Sequence, residues 1–242
     1  MKNFELAGGI VVQSLSLDEL LKEIESAWKM DHSYHICTVN PEIVVRAGQN
    51  PAFKAAVMAC DLRTIDGIGV ILAIMRRYFR KAERLTGVTI MAAVLDLARR
   101  MGREVIIVGA EALSRERAES RMRAEEVKIR HGVSPRVNEA GEAEENLTNM
   151  LPKNGVVLVA LGTPKQELWI RNTIVNNGPP NLYIGVGGAV DYYSGVAPNP
   201  PAILCALGLE WLYRLIQHPG TRIPRLINFL PKFFWRYIVV GR

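Results

Sequence analysis

Cysteine is scarce in this 242-residue chain, and its three copies (Cys37, Cys60 and Cys205) are odd in number, widely spaced and set in apolar stretches. That pattern excludes a disulfide framework and fits reduced, buried thiols of a cytosolic protein. The four histidines, His32, His35, His131 and His218, show no metal-ligand spacing with the cysteines, so no structural or catalytic zinc site is expected. No run of about 18 uncharged apolar residues occurs, which leaves no transmembrane candidate. The opening MKNFELAGGIVVQ carries Glu5 and no long apolar core, a poor signal peptide. A dinucleotide fingerprint G-x-G-x-x-G is missing after the first strand, and Gly162-Thr-Pro-Lys lacks the glycine spacing of a P-loop. Internal repeats, low-complexity stretches and a helix-turn-helix are missing too. With 49% hydrophobic residues and a mean hydropathy near zero, the chain reads as globular.

Acidic residues are absent from the last stretch. Residues 1–210 hold 24 Lys+Arg and 24 Asp+Glu, so the whole +6 net charge lies in Arg214, Arg222, Arg225, Lys232, Arg236 and Arg242. A neutral body with a basic, aromatic tail is not the layout of a nucleic-acid enzyme. It points to anionic lipid or a phosphorylated ligand. On a helical wheel of residues 225–238, Arg225, Lys232 and Arg236 fall within about 40° of one another. Leu226, Leu230, Phe233, Phe234 and Tyr237 take the opposite side, the pattern of a helix lying in a membrane interface. Packing of the aromatics against the body is the alternative, and Pro231 would kink or divide such a helix.

What is present is an alternation of strands and helices with short turns, the pattern of an α/β protein with a Rossmann-like parallel sheet flanked by helices. Ser16-Leu-Asp-Glu19 is a capping box that starts a helix running to about Met30. Tyr34–Val39 is a strand, and Asn40-Pro41 and Asn50-Pro51 each cap and open a helix. Leu62–Ile65 is a strand ending at Asp66-Gly67, with helices expected at 68–78 and 88–101. Strands follow at 104–108, 156–161 and 182–186, and helices at 114–126 and 164–176, with 136–149 polar and on the surface. Glycine-rich strand ends at 67, 109, 162 and 187 would line one edge of the sheet, where open α/β sheets bind ligands. A helix is expected from Ala202 to Gln217, ended by Pro219. Three prolines in Gly195–Pro201 mark a boundary between a core of residues 1–195 and a helical appendage of 196–242.

The segment Gly155-Val-Val-Leu-Val-Ala-Leu-Gly162-Thr-Pro-Lys-Gln166 reads as a buried strand, a glycine turn and a helix opening on Pro164. Unpaired N–H groups of that helix start would point at an anion such as a nucleotide diphosphate, with Lys165 and Gln166 beside it. The spacing alone equally fits an ordinary βα turn.

Four ordered pieces, Thr38-Val-Asn40-Pro-Glu42, Asp66-Gly67-Ile-Gly69 with Glu83-Arg84-Leu-Thr-Gly87, Gly162-Thr-Pro-Lys-Gln166-Glu, and Gly185-Val-Gly187-Gly188-Ala-Val-Asp191, together with Gly208-Leu-Glu-Trp-Leu-Tyr-Arg214, resemble the WecG/TagA/CpsF glycosyltransferases over nearly the whole chain. The resemblance implies transfer of a sugar, typically N-acetylmannosamine or its uronate, from a UDP-sugar donor to a polyprenyl-diphosphate-linked sugar acceptor. It implies cell-envelope polysaccharide or teichoic acid synthesis at the inner face of the membrane, inversion at the anomeric carbon, and neither cofactor nor metal. On that reading Asp66 is the base and Arg84 meets the leaving-group charge. Thr38 and Asn40 bond the sugar, Gly162, Lys165 and Gln166 hold donor or acceptor, Gly187 and Gly188 approach the ligand, and Asp191 reads uracil or ribose. Arg214, Arg222 and Arg225 take the lipid diphosphate. Bland roles stay open for several of these: helix caps for Asp66 and Asn40, a solvated side chain for Gln166, a turn cap for Asp191. The chain departs from the family pattern where Asn199-Pro-Pro stands for Arg-Ala-Pro. A non-catalytic nucleotide- or lipid-binding relative and a Rossmann oxidoreductase are the competing readings, and homo-oligomer formation is left open.

Overall fold

The computed structural model describes residues 1–217 and 219–240; His218 and Arg242 lie outside the described residues. Two strands that the sequence reading did not include open the chain. β1 (Lys2–Leu6) and β2 (Ile10–Ser14) form an antiparallel hairpin. Its turn holds Gly8 and Gly9 at φ of 89° and 77°, which only glycine adopts at no steric cost. β3 (Tyr34–Val39), β4 (Leu62–Ile65), β5 (Val105–Gly109), β6 (Val156–Ala160) and β7 (Leu182–Gly185) complete a seven-stranded sheet of order β1-β2-β4-β3-β7-β6-β5. Every pairing except β1–β2 is parallel.

Side chains alternate across this sheet. Ile36, Leu62, Ile107, Leu158 and Ile184 pack under α1 (Leu17–Lys29), α5 (Gly87–Arg100), α6 (Ala112–Ala124) and α8 (Ala189–Tyr193). Cys37, Val39 and Ile65 face α2 (Pro41–Gln49), α3 (Pro51–Met58) and α4 (Ile68–Tyr78), and Val157, Val159 and Tyr183 face α7 (Lys165–Val175). The local signals act as expected. Ser16 and Glu19 make a reciprocal capping box, and Asn40 and Asn50 accept from the Ile43 and Phe53 N–H groups, each at 3.0 Å. The 136–149 stretch is not wholly surface: Val137 and Leu147 are buried against the outer face of β6.

Beyond residue 195 the expected single helix over 202–217 is broken. α9 (Ala202–Ala206) and α10 (Glu210–Gln217) flank Gly208, whose φ of 70° no regular helix tolerates. Pro219 opens α11 (Pro219–Phe233) rather than ending a helix, and a π-helical run, Phe234–Val240, follows. α11 contains Pro224 and Pro231 and packs against α2. Phe233 and Tyr237 stack at 4.9 Å and enter the core beside Val70 and Ile74. Burial of two such side chains contributes about 1.5–3 kcal/mol each, enough to anchor the segment. Among the described residues no helix is long and apolar enough to cross a membrane.

The chain leaves β3 for β4 on one side, while β7, β6 and β5 extend on the other. The carboxyl ends of β3 and β7 therefore flank a topological switch point, the expected place for a ligand in an open α/β sheet.

Candidate active site

A cavity of about 830 Å³ opens over the carboxyl ends of β3 and β4 and is roofed by α9, α10 and α11. Asp66 lies on its floor, placed by the hydrogen bond of its N–H to the Val39 carbonyl at 2.8 Å. The next residues must turn sharply into α4. Gly67 does so at φ 84°, and a Cβ at Gly69 would lie 2.7 Å from Pro41 Cγ and 3.2 Å from the Phe233 ring. Glycine at 69 thus makes room for both the α2 start and the appendage. The Leu85 N–H bonds the Ile65 carbonyl at 2.9 Å, which brings Arg84 alongside the end of β4.

Burial pushes the Asp66 carboxyl above its ordinary value; Arg214 and Arg84 pull it back, and Glu210 pushes it up again. Arg84 is held by Glu210 through two bonds, Nη1 to Oε2 at 3.0 Å and Nη2 to Oε1 at 2.6 Å, and by the Cys205 carbonyl at 2.8 Å. Arg214 lies over the Tyr192 ring, 4.4 Å from its centroid, and its buried Nε has no hydrogen-bond partner. Burial, followed by the charges of Arg214 and Arg225, lowers the proton affinity of the Arg222 guanidinium. Arg222, half-buried and crowded by two like charges, would gain from an anion placed beside it.

The expected site residues divide into two groups. Asn40, Asp66, Arg84, Arg214, Arg222 and Arg225 line this one cavity, although they come from distant parts of the chain. Thr38, Gly162, Lys165, Gln166, Gly187, Gly188 and Asp191 lie outside its lining. Thr38 sits just beneath it at the switch point, its hydroxyl 3.5 Å from the Gly185 carbonyl oxygen. Gln166 is buried and donates to Glu167 at 2.7 Å, with its Oε1 unpartnered beside Gly187. Asp191 is tied to α6 by the Ser114 hydroxyl at 2.7 Å, and Gly188 lies against it.

The helix start at Gly162 differs from the expectation. The Thr163–Pro164 bond is cis, and Pro164 stands one residue ahead of α7. The Gln166 N–H already bonds the Gly162 carbonyl at 2.9 Å. Lys165 is drawn aside, its Nζ 2.9 Å from the Val137 carbonyl and 3.3 Å from Glu139. The Lys165 side chain is therefore committed to the loop that covers β6.

The basic stripe of the tail is also redirected. Arg225 pairs with Glu42 at 2.8 Å, and Arg236 lies against Gly48 and over Tyr237. These cations run along the seam with α2, because Phe233 and Tyr237 fix the helix rotation. Apolar side chains share the exposed surface with them: Ile227, Leu230, Phe234 and Trp235. Glu42 and Glu210 received no role in the sequence, although both stand inside the quoted motifs. Their partners are 183 and 126 residues away along the chain.

The model of the glycosyl transferase WecG/TagA/CpsF family matches residues 5–241. The chain belongs to this family. It is a glycosyltransferase whose family works in cell-envelope polysaccharide synthesis. In this WecG/TagA/CpsF member the cavity brings together a partly buried carboxylate of raised proton affinity, Asp66, and the guanidinium groups of Arg84, Arg214, Arg222 and Arg225.

Proposed function

We propose that the protein transfers an N-acetylmannosamine-like sugar from a UDP-sugar to a polyprenyl-diphosphate-linked sugar, with inversion and without a metal. The acceptor hydroxyl oxygen attacks the anomeric carbon on the face opposite UDP, and the bond from that carbon to the UDP oxygen breaks. The hydroxyl proton passes to the Asp66 carboxylate. The placement of Asp66 among Arg84, Arg214 and Glu210 is the observation that carries this reading. A raised pKa makes the carboxylate a better base, and the arginines offset negative charge on the leaving diphosphate. Thr38, Gln166, Gly187 and Gly188 flank the strand ends on the β7 side, where the donor would lie. In this reading residues 1–195 are the catalytic core and 196–242 an appendage that brings Arg214, Arg222 and Arg225 to the lipid diphosphate at the inner membrane face. Teichoic acid or an exopolysaccharide is the product class.

Radiolabel transfer from a panel of UDP-sugars to polyprenyl-diphosphate-linked GlcNAc or glucose, with and without EDTA, tests the proposal. Transfer from one donor, unchanged by EDTA, is expected. Transfer lost with EDTA would overturn the metal-independent step, and UDP binding with no transfer from any donor would overturn the transferase assignment for these substrates.

A further inference from the structure

Glu210 lines the cavity within a cluster whose other carboxylate is the proposed base, and the mechanism above leaves its purpose unexplained. It is a costly residue to place there. Its side chain is only 18% exposed and its charge opposes ionisation of Asp66. A contact needed only to glue the appendage down could be apolar, as Phe233 and Tyr237 are.

Three features show what Glu210 does. Its two oxygens grip both terminal nitrogens of Arg84 in a fork-to-fork pair. With the bond to the Cys205 carbonyl, these contacts occupy three of the five guanidinium donors and define the plane of the group. The backbone brings Glu210 to this place by a close approach. A Cβ at Gly208 would lie 2.9 Å from Ile68 Cβ and 3.3 Å from Arg84 Nη1, at a φ of 70°. Finally, Glu210 opens α10 and Arg214 stands four residues later, so both project from one face of the helix toward Asp66.

We propose that Glu210 is a positioning residue of the transfer step, fixing the Arg84 guanidinium beside Asp66 so that its remaining N–H groups meet the leaving phosphate. The proposal rests on the transfer reading above. It assigns the appendage a share in placing a core residue, beyond supplying its own arginines. Asp66 is faced by Arg84 from the loop before α5 and by Arg214 and Glu210 from α10. Loss of the Glu210 charge therefore also lowers the Asp66 pKa, since one repelling carboxylate goes and Arg84 is no longer neutralised.

The test uses the full chain with Glu210→Gln, which keeps the shape, and Glu210→Asp, which keeps the charge on a shorter arm. Carbon-13 titration of Asp66, with its resonance assigned through Asp66→Asn, needs no turnover. Kinetics with the active donor are read beside it. Glu210→Gln should move the Asp66 titration and the acid limb of kcat to lower pH and cut kcat roughly tenfold to a hundredfold with KM little changed. Glu210→Asp should restore the titration while leaving kcat low. An unmoved Asp66 titration, or a moved one with wild-type kcat, would overturn the proposal. A wild type that shows the titration but transfers from no donor would instead sink the transferase reading.

Discussion

Arg225 of α11 sets its Nη2 2.8 Å from Oε2 of Glu42 in α2, whose other oxygen receives Arg46 Nε at 3.0 Å. One carboxylate, 12% exposed, thus joins the appendage to the wall of the cavity through an arginine that also lines it. Removing the acid leaves two arginines that are about half in water, so the stability cost is about 1 kcal/mol or less. The liberated Arg225 gains for anions what it loses in pairing. Glu42→Gln should therefore lower the urea midpoint only slightly while tightening pyrophosphate binding severalfold by calorimetry. Weaker binding would mean that the pair holds Arg225 in place and does not compete for it.

Asp66→Asn removes the proposed base and keeps the shape of the floor. Turnover should fall by about 10²–10⁴-fold with UDP affinity near wild type. The sign of the pH effect follows from burial. The Asp66 pKa is raised, so the base form is lost as pH falls through a value above that of an ordinary aspartate. The acid limb of kcat against pH should be shifted upward in the same sense and vanish in the variant. Equal activity in Asp66→Asn would remove Asp66 from the mechanism.

Features set by near neighbours were legible in the sequence. Asn40 and Asn50 with their prolines, and Ser16 with Glu19, are satisfied within three residues, so their pattern is their structure. The parallel sheet and its glycine-rich edge followed from the alternation of short apolar strands with helices along the chain. Contacts across the chain were not legible. Nothing near Arg84 signals Glu210, and nothing near Lys165 signals the Val137 carbonyl that captures it. The same holds for the tail. A helical wheel separates its basic and apolar sides, but only the burial of Phe233 and Tyr237 decides which side meets the body. The β1–β2 hairpin carries a local signal of its own, Gly8-Gly9 between two short apolar runs.

Glu167 gives a stability prediction apart from the cavity. Burial raises its carboxyl to about 7, and its Oε2 has no partner. The folded state holds this proton between the ordinary value of 4.5 and about 7, so its contribution is full below pH 4.5 and lost as pH rises through 7. Cys60 works the other way: burial opposes its ionisation, but Cys37, His35 and Arg63 outweigh that and bring the thiol down to about 5. A comparison with Glu167→Gln separates the two. Relative to wild type, the variant should gain up to about 3 kcal/mol in urea unfolding between pH 5 and pH 8. Parallel pH profiles would show that Glu167 does not carry the proton.

Membrane attachment is best tested on the flank that faces outward. Deleting residues 211–242 would strip Phe233 and Tyr237 from the core and Arg214 from the cavity, so loss of binding after that deletion would prove little. Ile227, Phe234 and Trp235 are each more than half exposed, and of the three only Phe234 also lines the cavity, without being among the charges that act on Asp66. Inserted into an interface, each gains a fraction of the 1.5–3 kcal/mol of full burial, and the fractions add across three residues. Replacing all three with serine should weaken sedimentation with anionic vesicles at least about tenfold and leave the urea midpoint near wild type. Raising salt from 0.1 M to 1 M shortens the screening length from about 10 Å to about 3 Å, so it should weaken the wild type further only where Lys232 and its neighbours meet lipid charge. Undiminished sedimentation of the triple variant would place the membrane contact elsewhere on the protein.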